Sequence, residues 1–325
     1  MRKIIIIVFL SLVFFINPSS LLCSDTDIKT VQLSLPDKTW SLDINLPDFK
    51  IEKASFNKDA TGRMLYAINP RTGIIISIFL EKAAFAGNNK VCREYYWARA
   101  QKSPFQKDDI KFSEAGNMAL VEYITKMHEG TVVNQKNVNA YMSKDDVWID
   151  IHLSKANFKP HEEELFKTIL NTVRFNENYV PNQQECLRFG SMFYLQRNYQ
   201  KAIRYYEKAL EFEKKVPRLD RDTKRVLIDN LGMAYGISGN LKRAKEIFEY
   251  GIAGDQTYPM YYYNLACAYA EMNDLDNAIV NLQTAFKYKQ NMIKGERMPD
   301  HRTDSSFAKY MENKRFLKIL EMLNQ

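Results

Sequence analysis

The chain has 325 residues, enough for about two domains, and 46% of them are hydrophobic, which supports packed cores. The formal net charge is +7, of which residues 181–325 carry +5. In that half the basic side chains are interleaved with acidic ones and form no long basic run. This pattern is typical of solvated helix faces and argues against nucleic-acid binding.

The first residues have the layout of a secretory signal. Arg2 and Lys3 precede an apolar run of 13 residues at 4–16, and Pro18, Ser19 and Ser20 follow it. Such a run is too short to span a bilayer comfortably. We therefore predict a signal peptide over residues 1–24 and an exported protein. Its expected location is the bacterial periplasm or the cell surface, with secretion as the alternative. No later segment is apolar enough to cross a membrane.

Cys23 leaves the fate of the N-terminus open. Bacterial lipoprotein signals place a small residue before the lipidated cysteine, and Leu22 stands there instead. Cleavage near Cys23, lipid attachment to it, and an uncleaved membrane anchor are the alternatives. After removal of the signal, Cys92, Cys186 and Cys267 remain, an odd number with wide spacing, which fits neither a disulfide framework nor a metal site. Cys186 and Cys267 are expected to be buried free thiols, with one disulfide bridge as the alternative.

Residues 25–176 alternate between strand and helix patterns. Residues 40–46 alternate with period two, and residues 74–80 form a nearly continuous β-branched run that is typical of a central strand. Further strands are predicted at 118–127, 134–143, 147–154 and 173–175, and helices at 90–101 and 160–172. The turn residues Gly130 and Asp145-Asp146 separate the three successive strands. An antiparallel sheet flanked by helices predicts an α+β domain.

This domain resembles the PsbP-type family of α/β/α sandwiches over about residues 28–176. The resemblance rests on Trp40 and Leu46-Pro47-Asp48-Phe49 near the start, on the strand at 119–123, and on the segment 150–154 before the last helix. It implies a binding or assembly-assisting domain rather than a catalyst.

One strand of this domain carries side chains that suggest chemistry. Trp148, Asp150, His152 and Ser154 share one face of the strand at 147–154. Neighbouring side chains on that face point in parallel, about 6–7 Å apart at the backbone, whereas a catalytic relay needs groups that converge from different elements. We therefore predict a polar sheet face and no catalytic residue. The chain also lacks phosphate-loop, nucleophile-elbow and paired-histidine motifs, so no cofactor and no metal is expected.

Residues 183–292 contain one pattern three times. Gly232 and Ala266 are 34 residues apart, and Gly190 precedes Gly232 by 42 residues. The same two spacings separate four other sets of landmarks, namely Phe193, Tyr235 and Tyr269; Ala202, Ala244 and Ala278; Tyr206, Phe248 and Leu282; and Ala209, Gly251 and Ala285. One period of 34 and one eight-residue insert, at about 217–224, explain both spacings. We predict the insert to be a solvated loop.

The pattern resembles the tetratricopeptide repeat family, whose period is 34 residues. The resemblance is carried by Leu-Gly-Met-Ala-Tyr at 231–235, by Asn-Leu-Ala-Cys-Ala-Tyr at 264–269, and by the block at 198–210. It predicts an all-α domain that follows a linker at 177–182. The predicted hairpins are 183–216, 225–258 and 259–292. A capping helix is predicted within 293–325, because a repeat array needs a polar end.

The resemblance implies a concave surface that binds extended or helical peptides, formed by the first helix of each hairpin. The residues predicted to bind the peptide are Leu187, Ser191, Tyr194, Asp229, Asn230, Met233, Ile237, Met260, Tyr263, Asn264 and Glu271. Leu195 and Cys267 also match lining positions, and the asparagines are expected to hydrogen-bond a peptide backbone. Leu187 and Met260 stand where chaperone-binding members carry lysines that clamp a carboxylate, so no such clamp is expected. The alternative is that these side chains only pack the superhelix.

The sequence therefore predicts an exported, non-catalytic adaptor or assembly factor that binds a protein or peptide partner. Two alternatives stand beside it. One is an envelope enzyme with a cryptic site in the α+β domain and repeats that dock the substrate. The other is a secreted effector that binds host proteins. Membrane attachment is expected only through the N-terminal segment.

Overall fold

The computed structural model describes residues 30–57, 59–128 and 130–323. The predicted signal peptide and Cys23 lie outside these residues. The chain divides between Val180 and Pro181 into two compact units, named here the sheet unit (residues 30–180) and the repeat unit (residues 181–323). Within the described ranges, no helix combines the length and the apolar character needed to cross a membrane.

The sheet unit is built on two antiparallel sheets. Its strands are β1 (Thr30–Leu33), β2 (Ser41–Asn45), β3 (Lys50–Phe56), β4 (Gly62–Ile68), β5 (Ile75–Lys82), β6 (Asp108–Ala115), β7 (Met118–His128), β8 (Thr131–Lys144), β9 (Val147–Lys155) and β10 (Arg174–Asn176). In the described residues they form a seven-stranded sheet, in the order β3-β4-β5-β9-β8-β7-β6, and a three-stranded sheet, in the order β1-β2-β10.

The inner face of the large sheet holds the main hydrophobic core. Because side chains alternate along a strand, β9 places Ile149, Ile151 and Leu153 on this face, where all three are 0% exposed. They belong to one cluster with Leu42 of the small sheet and Phe166 of α2 (Glu163–Leu170). The layer over this face is thus a second sheet together with a helix.

The outer face of the large sheet is partly covered by α1 (Asn89–Ala100). The Asn88 side chain caps this helix by accepting hydrogen bonds from the first-turn amides. Cys92 and Trp97 of α1 pack on Tyr141 and Trp148 of the sheet. The sheet unit confirms the predicted α+β class.

The sequence pattern predicts the central strands and misses β1, β3, β4 and β6. The strands β3 and β6 form the two edges of the seven-stranded sheet. Their residues are exposed or half-buried throughout, with no buried position in either strand. An edge strand of this kind carries no hydrophobic alternation, so the period-two criterion does not detect it.

The repeat unit consists of helical hairpins followed by a C-terminal segment, which confirms the predicted all-α class. The helices are α3 (Gln183–Leu195), α4 (Tyr199–Lys215), α5 (Arg221–Ile237), α6 (Leu241–Gly254), α7 (Pro259–Glu271), α8 (Leu275–Lys287) and α9 (Lys314–Leu323). The first helices of the hairpins are α3, α5 and α7, and the second helices are α4, α6 and α8.

The same turn joins the two helices of each hairpin. One residue of the turn has positive φ, 59° at Arg197, 84° at Gly239 and 65° at Asn273. The next residue caps the second helix with its side chain, and these caps are Asn198, Asn240 and Asp274. Identical turns give the three hairpins the same internal geometry.

Each hairpin is closed by a small residue that faces a large side chain. A methyl group built on Gly190 would lie 2.5 Å from the Tyr206 ring, and one built on Gly232 would lie 2.4 Å from the Phe248 ring. In the third hairpin the equivalent pair is Ala266 and Leu282, and both are 0% exposed. Glycine therefore accompanies a ring, and alanine accompanies the smaller leucine.

The eight-residue insert is a loop only in its first half: residues 217–220 connect the helices, and residues 221–224 form the first turn of α5, where a loop was predicted. The helices α4 and α5 have 17 residues each, against 13 in α3, α7 and α8. The short connection between α4 and α5 is held by the buried Glu213, whose Oε2 accepts hydrogen bonds from the amides of Arg218 (2.9 Å) and Leu219 (3.1 Å). Asp220 then caps α5, so the predicted start of this hairpin at 225 is four residues too late.

The start of α5 is tied to the end of α6, in the same hairpin, and to the hairpin that follows. Arg225 is buried, and its Nε donates to Asp255 Oδ2 at 2.8 Å, at the end of α6. The same guanidinium donates to the carbonyl oxygen of Asn291, beyond α8, at 3.4 Å. Within the insert itself, Arg221 Nε donates to Asp255 Oδ2 at 2.9 Å, so the insert adds a contact within the second hairpin as well as length.

The C-terminal segment forms two helical elements rather than the single helix predicted there. A 3-10 helix spans Ser305–Tyr310, and α9 begins at Lys314. Asn313 separates them, since its side chain accepts hydrogen bonds from the amides of Arg315 and Phe316 and caps α9. Phe307 and Phe316, one from each element, are fully buried against the third hairpin.

We predict that Gly232→Ala destabilises the repeat unit by about 1–3 kcal/mol, because the added methyl group overlaps the Phe248 ring. Gly236→Ala, on the same helix, is the control. Its methyl group would lie 3.8 Å from Ala244, an ordinary contact, so helix propensity should raise stability by up to about 1 kcal/mol. Urea denaturation measures both.

The double variant Gly232→Ala/Phe248→Leu copies the pair found in the third hairpin and should recover most of the loss. Additive losses in the double variant would contradict the size-matching explanation, because independent sites add and sites in contact do not.

Candidate functional site

The predicted peptide-binding residues lie on the stacked first helices α3, α5 and α7, and they differ in accessibility. Six of them are buried, with exposed fractions between 1% and 7%: Leu187, Tyr194, Asp229, Asn230, Met260 and Tyr263. The others are half-buried or exposed: Ser191, Met233, Ile237, Asn264 and Glu271. The buried six fill contacts between helices and are closed to a peptide in this arrangement.

The contact between the first two hairpins uses a tyrosine pair. The Tyr194 hydroxyl donates to Met233 Sδ at 3.8 Å, which joins α3 to α5. The Tyr206 hydroxyl of α4 donates to Ser191 Oγ at 3.1 Å and also hydrogen-bonds the Asn230 side chain. Asn230 is thus engaged inside the array, and the structure does not leave its amide available to a peptide backbone as the sequence predicted.

The contact between the second and third hairpins is centred on a buried carboxyl group. Asn264 Nδ2 donates to Asp229 Oδ1 at 2.7 Å, so this amide is also engaged. Burial raises the pKa of Asp229 to about 7, and the nearby Glu296 carboxyl adds to the effect. The side chain therefore changes charge near neutral pH.

In the third hairpin, the C-terminal segment covers two of the predicted groove-lining residues. Tyr263 is 1% exposed, and its hydroxyl donates to Asp304 Oδ2 at 2.9 Å. Cys267 Sγ lies 3.7 Å from the same oxygen. Asp304 precedes the 3-10 helix of the C-terminal segment, so this segment occupies the space beside α7.

The accessible residues form two rows across the stacked helices. Ser191 and Met233 occupy equivalent repeat positions, and so do Leu195, Ile237 and Glu271. Leu195 is 53% exposed, Glu271 is exposed, and the other three are half-buried. We name these five residues the open strip. It is mostly apolar, ends on a carboxylate, and can accept a chain segment laid across the three first helices.

The polar face of β9 in the sheet unit does not form a catalytic relay. Within the described chain, Asp150 and His152 share no hydrogen bond. Asn139 Nδ2 donates to Asp150 Oδ1 at 3.4 Å, and His152 Nε2 lies 3.1 Å from Asn137 Oδ1. Burial raises the pKa of Asp150 to about 7 and lowers that of His152 to about 4. The imidazole is therefore neutral and bound to an amide, as expected for a polar sheet face.

The cysteines and the acidic residues form no metal centre in the part of the chain that the structure describes. Cys92 and Cys186 are buried, Cys267 is half-buried, and all three are free thiols. In the same ranges, no group of three or more histidine, cysteine, aspartate and glutamate side chains is placed to hold a metal ion.

Family comparison identifies the helical hairpins. The sequence model described as tetratricopeptide repeat matches residues 186–215 and 261–292. These two segments are tetratricopeptide repeats. The hairpin between them, α5 and α6, has the same turn and the same small-to-large contact, which places it in the same array. No curated protein matches the sequence.

Similar solved structures share little of the sequence. The TPR domain of Sgt2 from Aspergillus fumigatus is 19% identical and covers 45% of this chain and 78% of its own, with a TM-score of 0.31. The type III secretion translocator chaperone SycD from Yersinia enterocolitica is 16% identical, with coverages of 46% and 96% and a TM-score of 0.32. PsbP (CyanoP) from Synechocystis sp. PCC 6803 is 11% identical and covers 47% of this chain and 97% of its own, with a TM-score of 0.32. These values are too low to transfer a partner.

We predict that Asp229→Asn makes the stability of the repeat unit less dependent on pH. The pKa of Asp229 is about 7 in the folded state, above the value of about 3.9 in an unfolded chain. The folded state therefore binds the proton more tightly, and the unfolding free energy contributed by this group falls as pH rises from about 4 to about 7.

Urea denaturation across this pH range measures the effect. The difference in unfolding free energy between Asp229→Asn and wild type should move in favour of the variant as pH rises and level off above about pH 7. Glu321→Gln, which removes one exposed carboxylate from α9, is the control and should follow the wild type. A constant difference between Asp229→Asn and wild type would show that Asp229 titrates normally.

Proposed function

We propose that this protein is an exported, non-catalytic adaptor or assembly factor that binds a segment of a partner protein along the open strip. The observation that carries the proposal is the pair of rows of accessible side chains, one on α3 and α5 and the other on α3, α5 and α7. Tetratricopeptide-type arrays expose extended surfaces of this kind because each hairpin contacts only its neighbours.

The composition of the open strip indicates the chemistry of the bound segment. Leu195, Met233 and Ile237 offer apolar contacts, and methionine adapts to differently shaped side chains. Glu271, at the end of the strip, favours a basic side chain on the partner. A helical or extended segment with apolar residues facing the array and a lysine or arginine near one end fits these requirements.

Export rests on the N-terminal sequence. The basic pair Arg2-Lys3, the apolar run at 4–16 and the small residues after it are the features of a signal peptide. In this proposal the partner lies in the bacterial periplasm or at the cell surface. A secreted effector that binds host proteins would use the same surface, and detection of the protein in culture medium distinguishes the two.

Non-catalytic action is supported by the sheet unit. The face of β9 that carries an acid, an imidazole and a hydroxyl has its imidazole bound to Asn137. A nucleophile, a base and an orienting group do not converge there. The enzyme alternative requires activity that disappears in Asp150→Ala or His152→Ala while the fold is retained.

The test is a crosslinking capture of the partner from the native envelope. Leu195→Gln/Ile237→Gln should reduce capture about tenfold or more, because buried apolar contacts at an interface are worth about 1–3 kcal/mol each. Both side chains are accessible, so the variant should remain folded. Circular dichroism checks this.

The matched control is Val280→Gln on α8. Val280 is 58% exposed and lies on a second helix of the same array, away from the open strip. Capture that survives Leu195→Gln/Ile237→Gln but fails with Val280→Gln would place the binding surface on the second helices and refute the proposal.

A further inference from the structure

The C-terminal segment lies along the third hairpin as a strap. After α8 the chain makes a 3-10 turn at Lys289–Asn291 and then follows α7. We name residues 293–311 the strap. The strap lacks the repeat pattern, yet it takes the place beside α7 that a further first helix would occupy.

Polar contacts fix the beginning and the middle of the strap. The Tyr258 hydroxyl, just before α7, donates to Glu296 Oε1 at 2.8 Å. Halfway along α7, Tyr263 donates to Asp304 at 2.9 Å, and Cys267 lies beside the same carboxylate. The strap therefore runs in the same direction as α7.

The end of the strap is held on the last turn of α7. The Tyr310 hydroxyl donates to the Ala270 carbonyl oxygen at 3.4 Å. Lys309 Nζ donates to Asn273 Oδ1 at 2.7 Å and to the Glu271 carbonyl oxygen at 3.4 Å. Tyr263 and Cys267 are lining positions of the predicted groove, so the strap covers these two, whereas the Glu271 side chain stays exposed.

An aromatic ring anchors the strap in the core. Phe307 is 0% exposed, 6.2 Å from the Tyr263 ring and 5.6 Å from the Phe316 ring, measured between centroids. Full burial of such a side chain is worth about 1.5–3 kcal/mol. Any segment that displaces the strap must therefore fill the same space with a ring of its own.

We propose that the strap occupies the binding site of a partner segment on α7. The partner segment that replaces it carries a carboxylate, an aromatic ring three residues later and a tyrosine six residues later. These are the spacings of Asp304, Phe307 and Tyr310. The inference rests on the proposed function and deepens it, because it names the chemistry recognised at the third hairpin.

The strap stays on the third hairpin because it is tethered to it and its local concentration is therefore high. A tethered segment competes at an effective concentration of the order of millimolar, so an external peptide with equal contacts binds wild type weakly. A variant with weakened strap contacts should bind the peptide better, because the peptide retains the contacts that the strap has lost.

The first measurement follows strap opening in Asp304→Ala/Tyr310→Phe. The variant loses the carboxylate that accepts from Tyr263 and the hydroxyl that donates to Ala270, and it keeps Phe307, so it should remain folded. Burial and the adjacent Asp304 raise the pKa of the Cys267 thiol, which keeps that thiol unreactive under the strap. Alkylation of Cys267, followed by mass spectrometry, should be at least about tenfold faster in the variant, since each lost bond contributes about 1 kcal/mol or more. Asp304→Asn removes the same charge beside Cys267 but keeps an acceptor for the Tyr263 hydroxyl, so it controls for the effect of charge on the thiol and should react at least several-fold more slowly than the double variant. Glu312→Gln, an exposed change beside the strap, should behave as wild type.

The second measurement is the binding of a fluorescent synthetic peptide with the sequence of residues 293–312. By anisotropy, it should bind Asp304→Ala/Tyr310→Phe at least about tenfold more tightly than wild type. A peptide with alanine in place of Asp304 and Phe307 should bind neither protein. Cys267 equally protected in variant and wild type would overturn the inference, and so would a reactive Cys267 without peptide binding.

The two proposals fail in different ways. If Leu195→Gln/Ile237→Gln abolishes partner capture but the peptide binds no variant, only the strap inference fails. If the peptide binds the loosened variant while capture is unaffected by Leu195→Gln/Ile237→Gln, the open strip is not the partner site.

Discussion

The repeat unit depends on one steric constraint, the close approach of two helices within each hairpin. A residue with little or no side chain on the first helix faces a large side chain on the second, and the sizes compensate: glycine with tyrosine, glycine with phenylalanine, and alanine with leucine. This fit sets the distance between the helices. Because the same fit recurs in each hairpin, the first helices stack in register, and their accessible side chains line up as the open strip.

Burial has opposite uses in the two units. In the sheet unit, one face of the large sheet is apolar and closed by a second sheet and α2, while the other face keeps amides, an acid and an imidazole in contact with one another. In the repeat unit, the predicted groove residues fall into a buried set and an accessible set. Residues between stacked helices are used for cohesion, and only those one or two turns further along remain accessible for binding.

The sequence alone predicts the fold class of both units and the repeat period, because buried strands and stacked helices leave a strong hydrophobic period. It misses the edge strands β3 and β6, whose exposed residues leave no such period. The insert is predicted to be a loop because it is rich in charge. In the structure, Glu213 accepts hydrogen bonds from its first half, and Asp220 caps the helix that its second half begins. The site is predicted only in part. Position within the repeat identifies Met233 and Ile237 as accessible groove residues. Tyr263 is buried because it contacts the segment that contains Asp304, and that segment has no repeat pattern.

Arg225 has a consequence for the way the array unfolds. In a simple solenoid, each hairpin touches only its neighbours, and unfolding can begin at an end and proceed hairpin by hairpin. Here one buried guanidinium on α5 binds the end of α6 and the backbone beyond α8. Fraying of the third hairpin breaks the bond to Asn291 and also takes Asn264 away from the buried Asp229 carboxyl group, and a buried polar group left without its partner is costly. The two hairpins should lose structure together, as a single cooperative block within an otherwise modular domain.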